Sequence, residues 1–224
     1  MAASPKGFRR RATAALFDGC TVLDLGAGAR PTVPVDRRPA NCTYVGLDVS
    51  EEELKRAPGG SYDELAIADA AAFEPDLAER FDLVISMFAF EHVDDLERSL
   101  ANARAYLRSG GRLIAYFSGR YSVPSLLNRA LPERISEGLL QRLTGRDADS
   151  VYPARCDRCS DRDLRQLIAS DRWARAEILP CFWGEKYFRF SRVAHAAYVL
   201  YEELAWRGGR RQLATHYLID AVAD

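Results

Sequence analysis

Between residues 21 and 117 the chain repeats one motif of composition: a short apolar run, then a polar or helix-like stretch, then another run. The runs occupy Thr21–Leu25 and then residues 43–47, 65–68, 81–86 and 112–117, each too short for a helix and with few polar interruptions. Strands covered on both faces read this way. Between them, Ser50-Glu51-Glu52-Glu53 reads as a capping box opening a brief helix that Pro58-Gly59-Gly60 ends. Val93, Leu96, Leu100, Ala103 and Leu107 recur at helical spacing, with Asp94 and Asp95 at the start and Gly110-Gly111 past the end. Strand and helix in alternation give parallel strands joined by right-handed crossovers. The expected fold is therefore α/β, a doubly wound, mostly parallel sheet. Further strands over 176–179 and 212–222 bring it to seven, with helices over 160–169 and 191–207, and Val193, Ala197, Leu200, Tyr201 and Leu204 read by periodicity as the core face of the last helix.

At residue 118 the rhythm breaks. Residues 118–155 carry proline-marked helix starts and an apolar helical pattern, so a helical insertion after the fifth strand is expected there, placed as a lid over the strand ends. The 224 residues otherwise fit one domain, 1–224, able to bury a sizeable core. Lys and Arg number 31 against 32 Asp and Glu, so no global field recruits nucleic acid or anionic lipid. Arg9-Arg10-Arg11 reads as the solvated face of a short amphipathic N-terminal helix, in preference to a transit peptide. No charge-poor run approaches the roughly 20 residues of a membrane span, and a secretory apolar core is lacking, so a cytoplasmic location is expected. Cys156 and Cys159 have the spacing of half a zinc site, but no second close pair exists and Ser160 with Asp163 more simply opens a helix, so no metal is expected.

The loop after the first run is Gly26-Ala27-Gly28, and Asp48 ends the second run twenty residues on. In a doubly wound sheet that places a bare backbone turn and a carboxylate at the ligand crevice, the carboxylate able to accept the two hydroxyls of a ribose. A dinucleotide is disfavoured: the third glycine position is Pro31, and Pro31, Pro34 and Pro39 fill the segment where a phosphate-binding helix would start. No Gly-Lys-Ser/Thr of a phosphate loop is present either. A nucleoside without phosphates fits better.

"VLDLGAG" at 22–28, "YVGLDVS" at 44–50, "AIADA" at 66–70 and "FDLVISMFAFEHVDD" at 81–95 together resemble the class I S-adenosylmethionine-dependent methyltransferases, most closely their small-molecule branch. The resemblance covers about residues 20–118 and implies S-adenosylmethionine as cofactor. It implies that Gly26, Ala27 and Gly28 admit the methionine part of the cofactor to the backbone, and that Asp24 helps hold its ammonium. Asp48, with Val49 beside it, would take the ribose hydroxyls; Asp69 with Ala70 would contact the adenine; Ser86 and Met87, with Phe88, would line the methyl-donor end. Arg30 is a partner for the cofactor carboxylate on charge alone. His92 is the expected catalytic base, since an oxygen nucleophile must lose a proton. Arg120 and Tyr121, just past the fifth strand, are expected to contact the acceptor, with an aromatic wall around Phe182, Trp183, Tyr187, Phe188 and Phe190.

The motif that base-modifying relatives carry after the fourth strand is replaced here by "SMFAF", which argues against a nucleic-acid substrate. The expected function is methyl transfer to O or N of a small molecule: a sugar, a lipid-linked glycan or a secondary metabolite. The competing reading is a non-catalytic nucleoside binder or scaffold with the same fold. A homodimer is compatible with either.

Overall fold

The computed structural model describes residues 4–130, 155 and 158–224. Its first element, α1 (Pro5–Ala14), starts at Ser4, whose Oγ accepts from Gly7 N–H at 3.0 Å, with Pro5 supplying the preset first-turn φ. Seven strands follow: β1 (Thr21–Leu25), β2 (Thr43–Asp48), β3 (Glu64–Ile67), β4 (Phe81–Met87), β5 (Leu107–Ser118), β6 (Trp173–Cys181) and β7 (His216–Ala223). The helices between them are α2 (Glu51–Lys55), α3 (Leu96–Ala105), α4 (Val123–Ala130), α5 (Asp161–Ser170) and α6 (Arg192–Arg207). The caps lie where expected: Ser50, Asp95, Ser160 and Ser191 each accept from a backbone N–H three residues on.

The strands form one sheet in the order β3-β2-β1-β4-β5-β7-β6, parallel except for β7, which runs antiparallel to both neighbours. Chain direction across the sheet reverses between β1 and β4, and that reversal opens a crevice at their carboxyl ends. Alternating side chains supply a core on each face. Leu23, Val45, Val84 and Leu113 pack under α3 and α5, while Val22, Tyr44, Leu83, Ile85, Ile114 and Leu218 pack with Phe8 and Ala12 of α1. Each fully buried leucine here contributes roughly 1.5–3 kcal/mol of transfer free energy. Truncating Leu83 at the centre would cost about 2–5 kcal/mol, cavity included.

Three expectations are revised. β5 begins at Leu107 directly after α3, five residues before the expected start, and takes Gly110 and Gly111 into the strand. A Cβ at Gly111 would lie 2.9 Å from the Arg108 carbonyl, so this early stretch needs glycine. β7 begins at His216 rather than residue 212, because Arg211–Leu213 forms a 3-10 turn anchored by Arg211 Nε to Asp161 at 2.8 Å. In α6 the apolar positions Val193, Leu200 and Leu204 face solvent, while Tyr198, Glu202 and Ala205 are the buried ones. Periodicity there marks an apolar stripe that the domain itself leaves uncovered.

Of the expected insertion 118–155, α4 and Arg155 are described; residues 131–154 lie outside the described residues, as does Cys156. Cys159 is buried against the first core, and among the described residues no three His, Cys, Asp or Glu side chains are grouped to hold a metal ion. No helix among the described residues is long and apolar enough to cross a membrane.

Candidate functional site

At the carboxyl ends of β1, β2, β3 and β4 lies a crevice of about 430 Å³. Gly26, Gly28, Asp48, Val49, Asp69, Ala70, Phe88 and His92 all line it, so eight of the residues singled out from sequence converge. A cavity of this size suits a small organic ligand.

The glycine turn is built by hydrogen bonding across to β2. Gly26 N–H and Ala27 N–H both donate to the Leu47 carbonyl, at 2.8 and 3.1 Å, and Gly28 N–H donates to Asp48 Oδ2 at 3.0 Å. Gly26 and Gly28 sit at φ +72° and +53°, the left-handed region that favours glycine. A Cβ at Gly26 would fall 2.2 Å from Ala89 Cβ, so its bareness admits the loop after β4 as well as any ligand. Ala27 itself is buried with its N–H turned away to β2, and it does not line the crevice. From the other side, Tyr62 Oη lies 3.0 Å from both the Ala27 and Gly28 carbonyls and ties the turn down.

Asp48 is half-buried. Its Oδ1 accepts from Ser50 N–H at 2.9 Å and its Oδ2 from Gly28 N–H, which leaves each oxygen a further lone pair. Burial raises its pKa, and the Ser50 and Gly28 N–H groups pull it back. One β-strand over, Asp69 is exposed, its Oδ1 held by Ala71 N–H at 2.8 Å. Asn102 Nδ2 donates to the Ala70 carbonyl at 2.9 Å, fixing this wall to α3. His92 stands on the opposite lip, its N–H on the Ala89 carbonyl at 2.9 Å, with Phe88 and Val93 beside it. Arg155 pairs with Asp94 at the mouth.

The remaining expected residues are placed otherwise. Asp24 is 0% exposed, and both its oxygens are occupied: Oδ2 by Thr32 N–H and the Tyr44 hydroxyl at 2.7 Å each, Oδ1 by Thr32 Oγ1 at 2.8 Å. It braces the proline-rich loop and is removed from the crevice. Burial pushes its pKa up to about 6 against those hydrogen bonds. Strand alternation buries Ser86 on the α3 face of β4 and packs Met87 against the α1-side core, and neither lines the crevice. Arg30 is exposed and Arg120 and Tyr121 lie past β5, where Arg120 N–H meets the Cys159 carbonyl at 2.8 Å; none of the three lines the crevice. Of the expected aromatic wall, Phe188 meets Phe190 and stacks on Tyr198 of α6 at 4.2 Å, while Phe182 packs against the α3-side core. Sequence reasoning missed Ala89, Val93 and Tyr62. Only Val93 carried a signal, as the first apolar position of the α3 pattern.

A family model described as a methyltransferase domain matches residues 23–115. The ubiquinone biosynthesis O-methyltransferase of Rhizobium leguminosarum bv. trifolii is 34% identical over 102 residues, which make up 42% of this chain and 39% of that protein. The match therefore spans well under two thirds of that relative's length. Among solved structures, an S-adenosylmethionine dependent methyltransferase from Mesorhizobium loti superposes with a TM-score of 0.58 at 17% identity, covering 98% of each chain. A Haemonchus contortus phosphoethanolamine N-methyltransferase 2 in complex with S-adenosyl-L-methionine gives a TM-score of 0.58 at 15% identity, covering 100% of this chain and 58% of that one. At such identities the structural likeness is one of fold.

Proposed function

We propose that the chain is a class I S-adenosylmethionine-dependent methyltransferase, and that it transfers a methyl group from this cofactor to an oxygen or nitrogen of a small molecule. The observation that carries the reading is the Asp48 carboxylate, locked by two backbone N–H groups with lone pairs to spare beside a glycine turn. A ribose diol fits that acceptor pair, and the Gly26, Ala27 and Gly28 N–H groups of the turn are already bonded to β2, so they do not cradle a phosphate. Asp69, at the rim, accepts from an amino group of the adenine, with Ala70 and Val49 as its apolar flanks.

When bound, the cofactor supplies a methyl group that is already electrophilic. What the protein adds is alignment and a route for a proton. Holding two reacting groups in contact supplies several kcal/mol of the barrier. His92, on the lip facing Asp48 and Asp69, is the group that takes the proton from an oxygen nucleophile. The O-methyltransferase named among the relatives favours a hydroxyl acceptor. Calorimetry with S-adenosylhomocysteine tests the binding step: wild-type protein binds it, and Asp48→Ala binds it about 10²- to 10⁴-fold more weakly, the loss of two hydrogen bonds to a charged group. If the wild type binds neither S-adenosylhomocysteine nor S-adenosylmethionine, the reading fails. A radiolabelled-methyl screen across phenol, sugar and amine acceptors then distinguishes an enzyme from a binder.

A further inference from the structure

Between β1 and β2, where every residue is described, the chain makes a 3-10 turn at Val35–Arg37 and no α-helix. A turn that leaves a parallel strand is ordinarily held by the helix that follows it and packs back onto the sheet. Side chains take that task here. Asp24 grips Thr32, and Tyr44 Oη accepts from Val33 N–H at 3.1 Å. Arg38 donates to the Val33 carbonyl at 3.0 and 2.9 Å, its guanidinium 3.5 Å from the centre of the Tyr44 ring. These contacts fix residues 32–38, the far part of the loop. The glycine turn itself rests on β2 through its N–H groups and, through its carbonyls, on Tyr62.

Tyr62 comes to the turn from the segment that leads into β3. Its neighbour Asp63 pins that segment to β2 in both directions: Asp63 N–H donates to the Tyr44 carbonyl at 2.9 Å, and Tyr44 N–H donates to Asp63 Oδ2 at 2.7 Å. The Tyr62 ring stacks on Tyr44, with centroids 6.1 Å apart and planes at 23°. It then passes over Gly46, where a Cβ would fall 2.8 Å from its Cδ1 and 2.9 Å from its Cε1. Glycine inside a strand weakens it and often marks a close approach by another group. In β2 that group is the Tyr62 ring. At its far end the one hydroxyl proton is shared between the Ala27 and Gly28 carbonyls, 3.0 Å from each. Burial, and next the Asp24 charge, push the phenol's pKa up, so the hydroxyl keeps that proton. Gly28 is thus held at both polar groups, its N–H by Asp48 Oδ2 and its carbonyl by Tyr62. Tyr62 does not line the crevice, but it sets the turn against which the Asp48 carboxylate is aligned.

Resting on the methyl-transfer reading, we propose that Tyr62 is a positioning residue for the cofactor. It holds the glycine turn in the shape that a following helix would otherwise impose, and Gly46 is bare so that its ring can pass.

Tyr62→Phe tests this, since the ring stays and only the hydroxyl goes. Calorimetry finds S-adenosylhomocysteine bound about tenfold more weakly than by the wild type, one hydrogen bond's worth, where urea titration shows the variant fully folded. Hydrogen exchange without ligand finds the Gly28 amide opening about tenfold faster relative to the amides of β4, a local loosening that general destabilisation does not produce. Gly46→Ala displaces the ring and weakens S-adenosylhomocysteine binding by about tenfold or more; adding Tyr62→Phe to it costs less than about threefold further, because both act through one contact. Equal S-adenosylhomocysteine affinity in wild type and Tyr62→Phe overturns the positioning role alone, as does full additivity of the two substitutions. A weaker affinity with the Gly28 and β4 amides speeding up together also overturns it, since the hydroxyl then serves the fold as a whole. Wild-type protein that does not bind S-adenosylhomocysteine removes the methyl-transfer reading and this role with it.

Discussion

Asp24→Asn should stabilise the protein above neutral pH, although it alters a fully buried residue in the glycine motif. The carboxyl's folded pKa is about 6 against an ordinary 3.8, chiefly because burial disfavours its charge. A raised value means that the folded state binds the proton more tightly than the unfolded one. Its stabilising contribution is full below 3.8 and is lost as pH rises through about 6, a difference of about 3 kcal/mol between the two limits. Asparagine removes the charge and keeps the shape. Its amide oxygen can replace Oδ2, accepting from Thr32 N–H and the Tyr44 hydroxyl; its NH₂ can replace Oδ1 and donate to Thr32 Oγ1, whose hydroxyl turns to accept. One amide hydrogen is left over, costing about 1 kcal/mol. The net expectation is a gain of about 2 kcal/mol at about pH 8, and a level or slightly lower stability at about pH 4.5. Urea denaturation at the two pH values reads this directly. Asp24→Ala instead strands Thr32 N–H and the Tyr44 hydroxyl and costs about 2–5 kcal/mol. An asparagine variant less stable than wild type at the higher pH would refute the argument. So would a hundredfold loss of S-adenosylhomocysteine affinity in the folded variant, since that would mean the carboxylate reaches the ligand after all.

Gly26→Ala should cost about 2–4 kcal/mol, because it adds a left-handed φ penalty to a Cβ that lands 2.2 Å from Ala89; an unchanged urea midpoint would contradict the packing. Asp48→Ala should separate affinity from folding, its melting temperature falling only a few degrees while ligand binding weakens as described above. His92→Ala should lower kcat on a hydroxyl acceptor by about 10²–10⁴ with cofactor affinity unchanged; equal turnover would retire it as the base.

What the sequence disclosed followed the range of the interactions involved. Asp48 was readable because its position depends on two local facts, a strand that ends there and a turn that starts beyond it. Gly26 was readable too, but for an incomplete reason: the atom that most strongly excludes a side chain there belongs to Ala89, sixty-three residues away in sequence. The burial of Asp24 was not readable, because it is decided by Thr32 and Tyr44, whose hydroxyls come to it only once β2 lies beside β1. Nor was the face that Ser86 and Met87 each take, since a motif that spans a strand end does not report strand parity.

The same logic explains why α6 and the β5–β7 pair were opaque. Helical spacing identified Val193, Leu200 and Leu204 as one apolar face, yet spacing is silent on whether anything covers it, and here Tyr198, Glu202 and Ala205 take the inward side. Glu202 is drawn in because its Oε1 accepts from Gly184 N–H at 2.8 Å and from the Thr215 hydroxyl, a demand no hydrophobic pattern encodes. His216 sat in a run that read as an ordinary strand, and Tyr116 in another. Only the antiparallel insertion of β7 between β5 and β6 brings them together, ring on ring, beside Glu91. In this fold the cofactor side is written in contiguous motifs along the parallel strands β1 to β4. The Tyr116–His216 stack, by contrast, is assembled from β5 and β7, across a hundred residues of chain, and no contiguous motif announces it.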